Sequence, residues 1–473
     1  MSSIFATLIS SYPTWAALST YLKSAEGGAL RIYDNSTPDA PFALIRYVKG
    51  QSDLSMPHVR LMRSVVWDTT ANRPVSVTPA KSMEGEMLPE VSAVEMLRAE
   101  HFVDGTLIGL FYDTYSSQWR IHTRSVLGAQ SRYFSQTTTF ATMFEQAMKA
   151  ARIGFDSLDK NSCYSWVLQH PENRIVVPVD RARAFCVQKA TIHDDGSFTV
   201  DDLTGVPNAV QVIRDIKSTQ DLWDLLAEWN KRFGHAAQGI VVHYLPSGSR
   251  YKVRTPEYNR VRGMRGNSAR RDFLWLDLWR SGKLLDYLRL YPEERATADA
   301  VVNRWKQITN DVFHIYTDVF KARSLAKAAI PPKHRPLVYG LHTLYMESLK
   351  PAGRSVDWKA ALQYMNERDT AQMLFVINWE VRAVAKQLGV PSIPVEPASS
   401  VETAVSGDAV EAKPKAGTWA AKAAAAAAPV AAAAAGGAGA SQAEDEQAMT
   451  HSEWYEEQVK LYKMDRRMDS ENM

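Results

Sequence analysis

Between residues 15 and 267 apolar and polar positions alternate over short stretches, with turn-forming residues between them. The runs 42–47, 63–67, 106–111, 119–123, 164–168, 175–179 and 240–244 predict strands, because successive side chains of a strand point to opposite faces. Two stretches change to the helical period. Residues 137–151 carry one apolar face, and 218–233 repeat Leu222, Leu225, Leu226 and Trp229 at helical spacing. This interleaving predicts an α+β domain over residues 1–267, with mainly antiparallel sheet.

Past residue 267 the alternation stops. Long amphipathic runs at 271–291, 296–327, 357–367 and 369–388 predict an all-α domain over 268–390, with Pro292 closing one helix and opening the next. Trp275, Trp279, Tyr287 and Tyr291 fall at helical spacing and are expected in its core. Residues 391–447 are dominated by Ala, Pro, Gly and Val, a composition that builds no core, and are expected to be a disordered linker. The last stretch, 448–473, reads as a short charged helix carrying Trp454, Tyr455, Val459 and Tyr462, suited to docking on a partner protein.

Composition adds limits rather than chemistry. A net charge of +3 permits a nucleic-acid surface without requiring one. The two cysteines, Cys163 and Cys186, form no disulfide framework and suggest a reducing compartment and buried thiols. No apolar run reaches the roughly 18 residues of a membrane span, and no leader peptide is evident, so a cytoplasmic location is expected. Walker loops, Cys/His metal spacings and Gly-x-Ser-x-Gly elbows are missing, and no metal site is expected.

Seven short pieces stand in a telling order. They are Val59-Arg60-Leu61-Met62-Arg63 with Val65 to Asp68, Pro79-Ala80-Lys81 with Gly85-Glu86, Asp104-Gly105-Thr106-Leu107-Ile108, and Thr123-Arg124-Ser125. Tyr164 to Leu168 running into Pro171 to Val176, then Gln238-Gly239-Ile240-Val241-Val242, then Tyr251-Lys252-Val253-Arg254-Thr255-Pro256 with Tyr258, complete the set. In this order they resemble the motifs of the RNA ligase family of the phage T4 RNA ligase 1 type, over roughly residues 30 to 330. The resemblance implies a nucleotidyltransferase domain. Within it, Lys81, Asp104, Gly105, Arg124, Lys252 and Arg254 would face nucleotide or phosphate. The arginines that follow, Arg260, Arg262 and Arg265, suit a nucleic-acid surface, RNA above DNA.

The departures decide the expected chemistry. Covalent adenylation requires a lysine amine that attacks the α-phosphate of ATP, with carboxylates holding a divalent metal. The position matching the nucleophile is Phe102, and no lysine occurs between Lys81 and Lys149. The positions matching two carboxylates are Val167 and Gln238. No cofactor is therefore required. ATP and magnesium would be needed only by a ligase using His101 or Lys81 as an unorthodox nucleophile. If the segment is a strand, Phe102 and Asp104 share one face and His101 takes the other. The expected protein has an RNA-ligase-like fold, has lost covalent adenylation, and binds nucleic acid, a nucleotide or a partner. A structural assembly component, of the kind a virus particle uses, is the remaining alternative.

Overall fold

A computed structural model describes residues 3–90, 97–135, 137–213, 216, 218–245, 248–266 and 270–387. The alanine-rich linker and the charged terminal helix expected from the sequence lie outside the described residues. The chain divides into two compact units, meeting in sequence at residues 267 and 268.

The first unit carries fourteen strands among the described residues. In chain order they are β1 (Arg31–Asp34), β2 (Phe42–Arg46), β3 (Val65–Asp68), β4 (Arg73–Val77), β5 (Met83–Glu84), β6 (Leu97–His101) and β7 (Thr106–Asp113). There follow β8 (Gln118–His122), β9 (Ser162–Gln169), β10 (Arg183–Ile192), β11 (Phe198–Asp201), β12 (Val212–Ile213), β13 (Gly239–Tyr244) and β14 (Ser249–Arg254). They build three sheets, ordered β1-β2-β3-β4, β11-β10-β9-β7-β8 and β12-β6-β13-β14-β5. Every pairing is antiparallel except the short β14–β5 contact. The unit is thus α+β with antiparallel sheets.

Three buried clusters make up the core of this unit, and the first also takes in Phe111, Cys163, Ala190 and Phe198 from the second sheet. The first packs Leu44, Val66 and Trp67 against Phe5 and Leu18, which belong to the helices Ile4–Ser11 and Trp15–Lys23. On the second, Ile108, Trp166 and Ala184 lie under the helix Phe140–Ala150, which is capped by the Thr139 hydroxyl. The third buries Ala99, Ile240, Val242 and Val253 under the helix Thr219–Phe233, capped by Ser218. That helix presents Leu222 and Leu226 to the sheet, so the sequence period and the buried face agree.

Two expectations change here. The run 175–179 forms no strand: the N–H groups of Val176 and Val177 bond the Asp104 carboxylate at 3.0 and 2.9 Å, so they are unavailable to a ladder. The segment holding Phe102 and Asp104 is not strand either, since β6 ends at His101 and β7 begins at Thr106. Strand alternation therefore does not govern where those two side chains point.

The second unit is helical throughout its described residues, 270–387. Its longest helix is Arg295–Tyr316. The expected single helix at 271–291 is interrupted, ending at Arg280 and resuming at Leu284. Gly282, in the left-handed region at φ 71°, makes the break. Trp275, Trp279, Tyr287 and Tyr291 are all buried, and Glu294 accepts hydrogen bonds from the Trp275 indole and the Tyr287 hydroxyl.

Candidate functional site

The Asp104-Gly105 turn hangs between the second and third sheets. Gly105 is required there by close approach, since a Cβ would lie 2.3 Å from the Leu168 carbonyl oxygen. Gly239 is constrained in the same way: its φ is +142°, and a Cβ would lie 1.9 Å from the Val253 carbonyl oxygen.

Phe102 follows β6, and its N–H donates to the Gly239 carbonyl at 2.9 Å. Its ring is buried at 9% exposure beneath two cations of β14. The Lys252 ammonium and the Arg254 guanidinium each lie 5.2 Å from the ring centroid, within cation–π range. Arg254 also pairs with Glu84 at 3.6 Å. Phe102 is therefore an apolar plug held between two basic residues of β14.

Around this plug the cleft between the sheets is nearly filled. A space of about 30 Å³ remains, lined by Glu100, Phe102, Val167, Val241, Arg250 and Lys252 among others. One water needs roughly 10–15 Å³ on such a measure, and ligand pockets begin near 300 Å³. Val167 and Leu107 wall it from the second sheet, with Val187, which a bulge between Cys186 and Gln188 leaves without a ladder partner. On the third sheet Glu100 is buried and accepts from His243 Nε2 at 3.0 Å. Burial alone would raise the Glu100 pKa, but the His243 hydrogen bond and the charges of Arg250 and Arg98 hold it below the ordinary value. Arg250 donates to Ser82 Oγ at 2.8 Å, and burial lowers its pKa to about 10 although Glu100 opposes the shift.

Asp104 is fully engaged inside the protein. One carboxylate oxygen accepts from Val176 and Val177, and the other accepts from the Tyr258 hydroxyl at 2.7 Å. Tyr258 is held well above its ordinary pKa by burial and by that adjacent charge. This carboxylate is a brace joining three chain segments.

The remaining sequence candidates scatter. Lys81 donates to the Ser82 carbonyl at 3.1 Å. Arg124 stacks on Tyr47, 4.5 Å from its centroid, and donates to the Tyr47 carbonyl. Arg265 is 3% exposed, stacks on Phe134 and donates to the Arg174 carbonyl at 2.8 Å, so it is an internal strut and not an exposed nucleic-acid contact. Arg260 is exposed and pairs with Glu257 at 2.9 Å, while Arg262 is half-buried on the same helix, Pro256–Arg265. His101 stacks on Trp229 at 4.7 Å on the helix-covered side of β6, and burial lowers its pKa. Both cysteine thiols are buried, which raises Cys163 to about 11 and Cys186 to about 12.

The residues do not fit a metal-dependent adenylation site. Val167 and Gln238 offer no anionic ligand, and among the described residues no group of three His, Cys, Asp or Glu side chains is placed to hold a metal ion. Nor does the filled cleft fit a nucleotide. Sequence reasoning missed the Glu100–His243 pair and Arg250, for which no local motif gives a signal. Tyr258 lay inside a recognised motif, but only the fold shows what it holds.

A second space opens beside the plug. It measures about 510 Å³ and is lined by His101, Phe102, Gln169, Phe185, Trp229 and Gln238, with eleven further residues.

No family model matches the chain, and no curated protein matches it. Solved structures similar to it include two forms of an archaeal ATP-dependent RNA ligase. One is 12% identical, with 80% of this chain and 98% of that chain covered and a TM-score of 0.38; for the other the values are 10%, 65%, 82% and 0.33. A chain assigned as an ATP-dependent DNA ligase from Aquifex aeolicus is 11% identical, with 80% of this chain and 88% of that chain covered and a TM-score of 0.32. What the cleft can do follows from this chain's own residues.

Proposed function

We propose that the first unit is an RNA-ligase-like nucleotidyltransferase domain that no longer adenylates itself and acts by binding. The observation that supports this best is the Phe102 ring buried beneath Lys252 and Arg254. In a working site a lysine amine would lie there, and its lone pair would form the phosphoramide as pyrophosphate leaves. Phenylalanine has no lone pair to give. His101 is no substitute, because its ring is turned against Trp229.

The test is to incubate the full chain with α-labelled ATP and magnesium and to separate the protein by denaturing electrophoresis. No labelled band is expected. A labelled band in the unaltered chain would overturn the proposal. Phe102→Lys alone is also expected to stay unlabelled, because Val167 and Gln238 leave the metal without its acids.

A further inference from the structure

In the second unit a groove of about 420 Å³ lies where several helices meet. Pro336 and Leu337 come from the helix Arg335–Leu344, Tyr364 from Trp358–Asn366, and Phe375 and Val376 from Thr370–Ile377, while Trp379 opens the next helix. Phe375 is 48% exposed, and it meets Trp379 edge-on at 5.8 Å. Large rings left open to water in a groove mark a face that gains by being covered. Cations stand over these rings. The Arg368 guanidinium lies 4.2 Å from the Tyr364 centroid, and that of Arg382 lies 3.4 Å from the Phe375 centroid. The acids close by are already engaged: Asp369 caps its helix by accepting from the Gln372 N–H at 2.8 Å, and Glu380 pairs with both Lys333 and Arg304. Arg304, Lys333, Arg368 and Arg382 thus outnumber these two acids, and the groove has an apolar floor with a positive rim.

The chain itself carries the complement, outside the described residues. Residues 444–457 hold Glu444, Asp445, Glu446, Glu453, Glu456 and Glu457 with no lysine or arginine, and the last three acids flank Trp454-Tyr455. The other rings beyond residue 387 have the wrong neighbours: lysines flank both Trp419 and Tyr462. We infer that the groove is the docking site of residues 444–457 of the same chain. Trp454 and Tyr455 enter among Tyr364, Phe375 and Trp379, and the flanking carboxylates meet Arg368 and Arg382. The intervening stretch, 388–453, is long enough. As the coil that its composition predicts, a stretch of that length spans about 45 Å on average. Such a tether holds the segment at an effective concentration of about millimolar, so a weak contact suffices to keep the groove occupied. The segment is then an internal occupant that an external partner of this face must displace. This docking is independent of what the first unit binds.

A fluorescent peptide of residues 444–457, followed by anisotropy, tests it. The peptide is titrated with the unaltered full chain, and with the full chain carrying Trp454→Ala and Tyr455→Ala together. It is also titrated with that doubly altered chain carrying Phe375→Ala or Arg382→Glu in addition. Phe375 and Arg382 are both exposed, so these changes leave the helices intact. Saturable binding to the doubly altered chain is expected, and binding at least tenfold weaker to the unaltered chain, whose own segment competes. Either groove change should weaken binding to the doubly altered chain at least tenfold, and added salt should weaken it further. The inference is overturned if the doubly altered chain does not bind the peptide, if the unaltered chain binds it equally well, or if both groove changes leave the affinity as it was. Dimerisation of the unaltered chain that rises with concentration and is lost on Trp454→Ala with Tyr455→Ala would place the segment on a second copy, and would overturn docking within one chain.

Discussion

The spaces on the two sides of Phe102 contrast. Toward β14 the cleft holds about 30 Å³, bounded by Glu100, Arg250, Lys252 and aliphatic side chains. Toward Trp229 the cavity holds about 510 Å³, bounded by rings and amides. His101, Phe102 and Val103 line both, so this segment is the partition between them. On the charged side Glu100 accepts from His243 and Arg250 donates to Ser82, and the open side retains the buried Gln238 oxygen with no donor.

Removing the partition should have the largest effect. Phe102→Ala deletes a buried ring and leaves Lys252 and Arg254 facing the gap, with an expected loss of about 3–5 kcal/mol in chemical denaturation. A loss near zero would mean that the ring does not hold the two sides apart. Next is the brace: Asp104→Asn turns an amide donor toward groups that already donate, and a loss of about 2–3 kcal/mol is expected by the same measurement.

Acid should act on the sealed side. The Glu100 pKa is lower folded than unfolded, so its stabilisation is complete above the unfolded value and is lost as pH falls through the folded one. His122 adds to this beneath the second sheet. Buried between Ser64 and Ser76, it is lowered to about 4, so folding must keep it neutral and stability falls as pH drops from about 6.5 toward 4. Denaturation midpoints measured between pH 7 and 4 should decline, and Glu100→Gln should flatten the lowest part of that decline. An unchanged profile in that variant would remove Glu100 from the account. The smallest effect is expected on the open side. Gln238→Leu loses no bond made by its side-chain oxygen and should change stability by under about 1 kcal/mol, in contrast to Asp104→Asn.

Much of the architecture was legible in the chain. The alternating runs at 42–47, 106–111, 164–168 and 240–244 correspond to β2, β7, β9 and β13, and the leucines of 218–233 lie on a helix. Alternation is weak in β6, whose Leu-Arg-Ala-Glu-His carries its meaning through partners on β13, and that strand was not recognised. The run 175–179 was misread because apolar composition cannot reveal that its N–H groups serve Asp104, some seventy positions earlier. Arg265 was read as a nucleic-acid contact, and the structure buries it. A guanidinium in a motif looks the same whether it meets solvent or, like Arg265, stacks inside on Phe134.

By itself the sequence determined which side chains stand at the motif positions. The interval 82–148 has no lysine, and Val167 and Gln238 have no charge, whatever the fold does with them. Only the tertiary structure decided what the neighbouring side chains meet. The Phe102 ring meets Lys252 and Arg254, Asp104 meets Tyr258, and His101 meets Trp229, each across more than a hundred residues. Contacts at that separation arise from how the sheets and their covering helix come together, and no local pattern encodes them.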